Sequence, residues 1–465
     1  MRLPALPLLL TTGLAAVVQL QERQTLAGSN ICSEIASNIA GTVYYALTEE
    51  FIDGVYHYMT SSEQTPECVV EVANAQDVST ILKLVGSTRT PFAIKSGGHA
   101  SNPGFSSTTG VQISVAKITE ITLSADKSTV EVGLGNVWTD VYTALQGTGV
   151  NVVGGRVEGP GTGGFTLGGG YSWKTDQFGL TCDTIQSYNL VLPNGTITSV
   201  DSSTPDLFFA LKGGLNRFGI VTSIVMETHA QVDMVYGGLQ VFDTGSIEDL
   251  IIATQTFQTE NTDPKAQVIL TINGGTIPGA ILLSFYDGPE RPAAFDPYNN
   301  ITAIIDTLEG GNRGAFATLS TTGLTKAYMD AVYNESSFYG ALAIVHEGLL
   351  LSYDVEPFGD YGQYATDSAY PHNLSQLPLN LYFSWKLAAE DSYWRGIMQQ
   401  SINHLTQVAM DEGIYSADLY AYPNYALDTY TGAQLYGPTN AARLRTIQAQ
   451  YDPNGVMELA GGFTF

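Results

Sequence analysis

Phe92-Ala93-Ile94-Lys95-Ser96-Gly97-Gly98-His99 is a strand-like run that ends in two glycines and a histidine. A second glycine-rich stretch follows. It runs from Gly154-Gly155-Arg156 through Gly159-Pro160-Gly161-Thr162-Gly163-Gly164 to Gly168-Gly169-Gly170-Tyr171. Glycine lets backbone N–H groups approach a ligand and reach positive φ, so this density suits a wrapped phosphorylated cofactor. The imidazole at the tip of the first loop is a nucleophile placed to bond that cofactor. The small and turn-forming residues Ala100-Ser101-Asn102-Pro103-Gly104 close the loop, whose N–H groups can surround a pyrophosphate without a lysine.

Gly159-Pro160-Gly161-Thr162-Gly163-Gly164 formally matches the dinucleotide fingerprint G-x-G-x-x-G. That fingerprint should open a helix directly. Here the chain continues into Phe165-Thr166-Leu167-Gly168-Gly169-Gly170, a run read as too glycine-rich for a stable helix, and Pro160 removes a donor. The phosphate-binding G-x-x-x-x-G-K-[ST] pattern is absent, which argues against a P-loop hydrolase.

The 465 residues carry 45 acidic against 19 basic side chains, a formal net charge of −26. Nucleic acid and anionic membrane surfaces call for clustered Lys and Arg, so neither is an expected partner. With 44% hydrophobic and only 14% charged residues the chain is globular, not disordered. The segment Leu3 to Val18 after Arg2 reads as a secretory signal, so residues 1–18 are expected to be a signal peptide of a secreted protein. Sequons at Asn194, Asn300, Asn334 and Asn373 fit a glycosylating route. Of three cysteines, Cys32 and Cys68 make a sensible disulfide in an oxidising compartment, leaving Cys182 as a buried thiol. No Cys-x-x-Cys occurs, so no metal site is expected.

Hydrophobic spacing predicts strands at Val69–Val72, Phe92–Lys95, Val111–Val115, Val130–Val132, Ser187–Leu192, Ile197–Val200 and Phe218–Val225. Helices are expected from the i, i+3, i+4, i+7 series Val78, Ile81, Leu82, Val85, near Val137–Leu145 and at Asp206–Leu211, and Pro193-Asn194-Gly195 should turn a hairpin. Beyond residue 234 longer strands (Val268–Ile272, Ala280–Phe285, Leu379–Leu387) mix with longer helices (Ile247–Phe257, Ser392–Val408), and a last helix is expected at Asn440–Gln450. The fold class is α+β.

In order, the chain carries Lys-Ser-Gly-Gly-His and Gly-Pro-Gly-Thr-Gly-Gly-Phe-Thr-Leu-Gly-Gly-Gly-Tyr. Then come Asp176-Gln177-Phe178-Gly179-Leu180-Thr181-Cys182-Asp183, Lys212-Gly213-Gly214, Phe218-Gly219-Ile220-Val221-Thr222 and Tyr422-Pro423-Asn424-Tyr425. This series resembles the FAD-linked oxidoreductases of the vanillyl-alcohol-oxidase type, in the berberine-bridge-enzyme-like branch and most of all its secreted fungal members. The resemblance implies a two-part FAD-binding domain of the PCMH type over residues 19–233 (core 62–233). It also implies a substrate domain at 234–410, an antiparallel sheet backed by helices, and a C-terminal segment, 411–465, that completes the first domain. It implies that His99 carries the flavin 8α carbon and that Lys95, Ser96, Gly97, Gly98, Ala100 and Ser101 line the pyrophosphate. Gly161, Gly163, Gly164, Gly169, Gly170 and Tyr171 would pack on the flavin and its ribityl chain, Gly219 and Val221 on the adenosine half, and Asn424 near the isoalloxazine. Many relatives add a second anchor, a cysteine where Val157 stands here, so a single histidyl link is expected. Pro160 falls where the family governs oxygen access.

Hydride transfer from an alcohol to flavin N5 requires loss of the hydroxyl proton. Tyr422 is the first candidate base, followed by Tyr425 and then His372; an ordinary tyrosine, with a pKa of about 10, would need tuning by its site. Tyr370, Tyr382 and Trp385 are candidate substrate-lining aromatics. The expected activity is oxidation of an alcohol or a carbohydrate hydroxyl with O2 reduced to H2O2, by a monomer. The alternatives are a dehydrogenase with another acceptor and an oxidative tailoring enzyme of secondary metabolism.

Overall fold

The computed structural model describes residues 31–276, 278–299, 301 and 312–465. The expected signal segment, residues 1–18, and the sequon at Asn300 lie outside these residues. Three larger sheets organise the chain, each with its own apolar core.

The first sheet has the order Thr42–Tyr44, Cys68–Glu71, Val111–Ser114, Phe92–Lys95, the last three parallel. Helix Ala75–Thr88 covers it with Val78, Ile81, Leu82 and Val85, the face foreseen from spacing. Asn74 caps that helix by accepting from the backbone N–H groups of Gln76 and Asp77. The Cys32–Cys68 disulfide is present, and Cys182 is free and buried.

The second sheet is antiparallel: Ile121–Leu123, Thr129–Gly133, Ile220–Glu227, Ile185–Val191, Ile197–Val200. The expected hairpin joins its last two strands, with Gly195 at φ +82°. Helices Trp138–Leu145, Pro205–Leu211 and Gly432–Tyr451 contribute to its core, so the end of the chain folds back on this sheet. Arg217 fixes the return: its guanidinium donates to the carbonyls of Met457, Ala460, Gly462 and Phe463.

The third sheet is antiparallel with the order Tyr236–Phe242, Gly279–Tyr286, Ala266–Gly275, Gly348–Val355, Leu377–Trp385, Arg313–Thr321. Side chains alternate across a strand. Leu270, Ile272, Leu351, Tyr353, Leu379, Leu381 and Phe383 therefore share one face, buried with helices Ile247–Glu260, Lys326–Leu342 and Asp391–Asp411. The opposite face carries a polar row, Thr271, Asp354, Asn380 and Thr318, directly abreast across four strands and flanked by Ile269, Leu283, Phe316 and Tyr382.

One expectation fails locally. Thr162–Leu167 is a short α-helix despite its glycines. Thr162 anchors it by donating both N–H and hydroxyl to Asn136 O, and Phe165 packs edge-on against Trp138 with ring centroids 5.1 Å apart. Tertiary packing overrides propensity there.

Candidate active site

A cavity of about 530 Å³ lies between the two glycine segments and the polar face of the third sheet. Ser96, Gly97, Gly98, His99, Ala100 and Ser101 line it from the first segment, and Gly161, Gly163, Gly164 and Tyr171 from the second. The two segments touch: a Cβ on Gly97 would fall 2.3 Å from Gly161 N, and one on Gly161 would fall 2.2 Å from Gly97 N. Gly164 faces open space. Gly219, Val221 and Asn424 also line the cavity, as do Val157 and Pro160. All of these residues line the one cavity.

His99 is half-buried, its ring stacked on Tyr58 at 4.4 Å between centroids and 12° between planes. Burial, with His57 nearby, pulls its pKa down to about 4, so the imidazole is neutral at physiological pH and keeps a lone pair.

Four sequence-based assignments are corrected. Lys95 is not in the cavity; Ile94 takes the inward position of the alternating strand, and Lys95 Nζ donates to Asp53 O at 2.7 Å. Gly169 and Gly170 lie behind the cavity wall, where Gly170 N donates to the Tyr422 hydroxyl at 3.0 Å. Gly170 holds a tyrosine, and neither glycine lines the cavity. His372 is wholly buried away from the cavity, with Nδ1 2.8 Å from Tyr370 O and Nε2 2.8 Å from Asp183 Oδ2. Both partners are acceptors, so both nitrogens carry hydrogen and neither is free to act as a base.

The two remaining base candidates line the cavity, and their hydrogen bonds differ. Tyr422 oxygen accepts from Gly170 N and from Asn424 Nδ2 (2.9 Å). Tyr425 donates to Glu356 Oε1 at 3.2 Å and accepts from Arg156 Nη2 at 3.0 Å. Burial pushes both hydroxyls well above the ordinary tyrosine range, so neither is a standing phenolate. Burial also raises Glu356, against the opposing pull of Arg156 Nη2 at 2.8 Å from Oε2. Arg156 lies between the Trp173 and Phe358 rings, 5.7 and 5.5 Å from their centroids.

Sequence reasoning missed Tyr58, Arg156, Glu356, Asp354, Asn380 and Thr271, which line the cavity beside Tyr382. The sheet face carries an acceptor surplus: Asn380 donates to Asp354 Oδ2 at 2.9 Å, which leaves its own Oδ1 buried and unpartnered. Of the aromatic candidates Tyr382 lines the cavity, whereas Trp385, an odd number of residues along the same strand, falls on the helix side. Tyr370 packs behind Tyr422.

The residues present fit FAD. Paired glycine segments that any side chain would push apart give close backbone approach, and a neutral histidine stands at the junction of the cavity's two walls.

Comparison with known proteins agrees with that fit. Residues 66–201 match the FAD binding domain family, and residues 421–460 match the family described as berberine and berberine like. The chain is 30% identical to an FAD-dependent monooxygenase of Arthrobotrys oligospora over 85% of its own length and 81% of that protein's. It is likewise 30% identical to an FAD-dependent monooxygenase of Penicillium terrestre, over 84% and 80%. Among solved structures, the glucooligosaccharide oxidase of Acremonium strictum superposes with a TM-score of 0.76 at 17% identity, over 92% of this chain and 98% of that one. That oxidase is described with a 6-S-cysteinyl, 8α-N1-histidyl FAD. At that identity the likeness shows the fold alone.

Proposed function

The chain belongs to the FAD-linked oxidoreductases of the berberine-bridge-enzyme-like branch, and from that premise we propose a single-anchor covalent flavoenzyme that oxidises an alcohol or carbohydrate hydroxyl. FAD, which His99 alone would hold, would supply the two-electron acceptor when bound, with O2 as the final acceptor and H2O2 as the product of the proposed oxidase. Val157, which lines the cavity, offers no nucleophile for a second anchor.

The chain's own residues handle the proton. Tyr425 faces the cavity and receives the substrate hydroxyl proton on its oxygen as it passes its own to Glu356. This relay avoids a free phenolate, and burial tunes the carboxylate upward, in the direction a general base requires. Arg156 holds Glu356 and Tyr425 in register. Tyr422, fixed by Gly170 and Asn424, positions the substrate. Phe316, Leu283 and Ile269 exclude water beside it.

The observation that carries this reading is the single cavity that joins His99, both glycine segments and the Tyr425–Glu356 pair. An anaerobic screen of sugars and secondary-metabolite alcohols, watching flavin absorbance, tests it. Bleaching by a hydroxyl substrate supports the reading, and bleaching only by amines or thiols contradicts it. Pro160 at the cavity wall favours a second reading, a dehydrogenase with a non-oxygen acceptor; measuring H2O2 against dye reduction separates the two. A secreted monomer belongs to the same proposal. The Cys32–Cys68 bridge fits an oxidising route, and Asn194, Asn334 and Asn373 are exposed.

A further inference from the structure

We propose that Tyr58 is the positioning residue that orients His99 for its bond to the flavin, an inference that rests on the covalent reading above. Tyr58 precedes the first glycine segment by a long stretch of chain and belongs to none of the motifs that mark the cofactor site.

Two hydrogen bonds tie Tyr58 to its surroundings, and its neighbour His57 is anchored as well. Its backbone N–H donates to Gly98 O at 3.0 Å, which ties it to the residue before His99. Its hydroxyl accepts from Tyr382 on the third sheet at 3.4 Å. Next to it, buried His57 donates from Nδ1 to Val55 O and accepts on Nε2 from Ser106 Oγ, both at 2.8 Å, so the segment is anchored on either side of the loop.

His99 by contrast is held by no hydrogen bond to either ring nitrogen among the described residues. The stack on Tyr58 sets its plane, and Gly159 bounds its Nε2 edge, where a Cβ would fall 2.7 Å away. A nucleophile that must meet one carbon along one line gains most from restricted rotation. Leaving both nitrogens unpartnered keeps the attacking lone pair free. A stacked phenol orients the ring without occupying either nitrogen, which a hydrogen bond would do.

The step served is the joining of an imidazole nitrogen to the 8α carbon. A C–H bond of that methyl breaks and an N–C bond forms. The imidazole N–H and the methyl each give up a proton, and the two electrons of the C–H bond pass to the isoalloxazine. Dioxygen then takes up the two electrons and two protons as H2O2. Tyr58 undergoes no chemistry.

The test measures covalent flavin per protein, as flavin retained after denaturation, in holoenzyme purified from one host with limiting riboflavin. Tyr58→Phe keeps the stacking face and should match the parent. Tyr58→Leu should retain about two- to tenfold less covalent flavin, the range expected for loss of an aromatic stack. Melting temperatures check folding, and Tyr58→Met supplies the same comparison if the leucine variant does not fold. Equal covalent flavin in the parent and a folded leucine or methionine variant overturns the proposal, as does a loss in Tyr58→Phe equal to that in Tyr58→Leu. A parent protein with no covalent flavin overturns the covalent reading itself and this proposal with it, an outcome visible before any variant is made.

Discussion

Tyr425 donates its phenolic hydrogen to Glu356 Oε1 at 3.2 Å, in a cavity wall where Arg156 Nη2 reaches both the same hydroxyl (3.0 Å) and Glu356 Oε2 (2.8 Å). The tyrosine comes from the C-terminal segment and the glutamate from just beyond the end of strand Gly348–Val355 of the third sheet. Their meeting gives a buried hydroxyl an internal proton acceptor.

Removing that acceptor should slow chemistry without releasing the cofactor. Tyr425→Phe is expected to lower kcat by about 10²–10⁴-fold, the usual weight of a general base. Glu356→Gln should do the same, with the added cost of leaving Arg156 buried and unpaired. Stopped-flow flavin reduction checks both; Tyr422→Phe, which keeps the ring, should cost less than Tyr425→Phe.

The pH profile should carry the mark of Glu356. Its burial raises the pKa, so the ionised, proton-accepting form is lost as pH falls while ordinary carboxylates, near 4.3, are still charged. The rate of flavin reduction should therefore fall on the acid side at a higher pH than an exposed glutamate would give. That limb should vanish in Glu356→Gln.

The buried Asp183–His372 pair is a matter of stability. Burial would raise Asp183, but His372 and the hydrogen bonds from Thr366 together outweigh it and the carboxyl ends below its usual range. Burial would lower His372, but Asp183 outweighs it and the imidazole ends above its usual range. The aspartate's contribution is present above its unfolded pKa of about 3.9 and lost as pH falls through the lowered value; the histidine's is full below about 6.5 and lost as pH rises through the raised value. His372→Gln should destabilise by about 3–5 kcal/mol between those limits, because it strands a buried carboxylate, while flavin reduction in the folded enzyme stays near the parent rate. Thermal melts across pH 4–8 check this.

The Cys32–Cys68 bridge spans a sequence separation of 36 and ties the start of the described chain to the first sheet. Cys32→Ser with Cys68→Ser should cost about 2–5 kcal/mol in chemical unfolding without changing the flavin spectrum.

Much of the first half was legible. Strand Phe92–Lys95, the Asn74-capped helix and the Asn194-Gly195 hairpin are each written in local spacing or turn chemistry. The glycine segments announced a cofactor because backbone approach leaves a compositional trace. The polar wall leaves none. Thr271, Asp354 and Asn380 sit on separate strands and meet only through sheet register. Strand Arg313–Thr321 reads as small residues, strand Tyr236–Phe242 carries two glycines, and helix Lys326–Leu342 is interrupted by Asn334, Ser336, Ser337 and Gly340, so local propensity hid them. His372 misled because a histidine in a motif says nothing of its partner, and here a buried aspartate claims it.

The most direct test of the account is where the flavin is attached. Purified protein should be denatured, digested and its yellow peptides sequenced by mass spectrometry. The prediction is one flavinylated peptide, modified at His99, with Val157 and its neighbours unmodified and the label lost in His99→Ala. Flavin released free on denaturation, or found on any other residue, would contradict it.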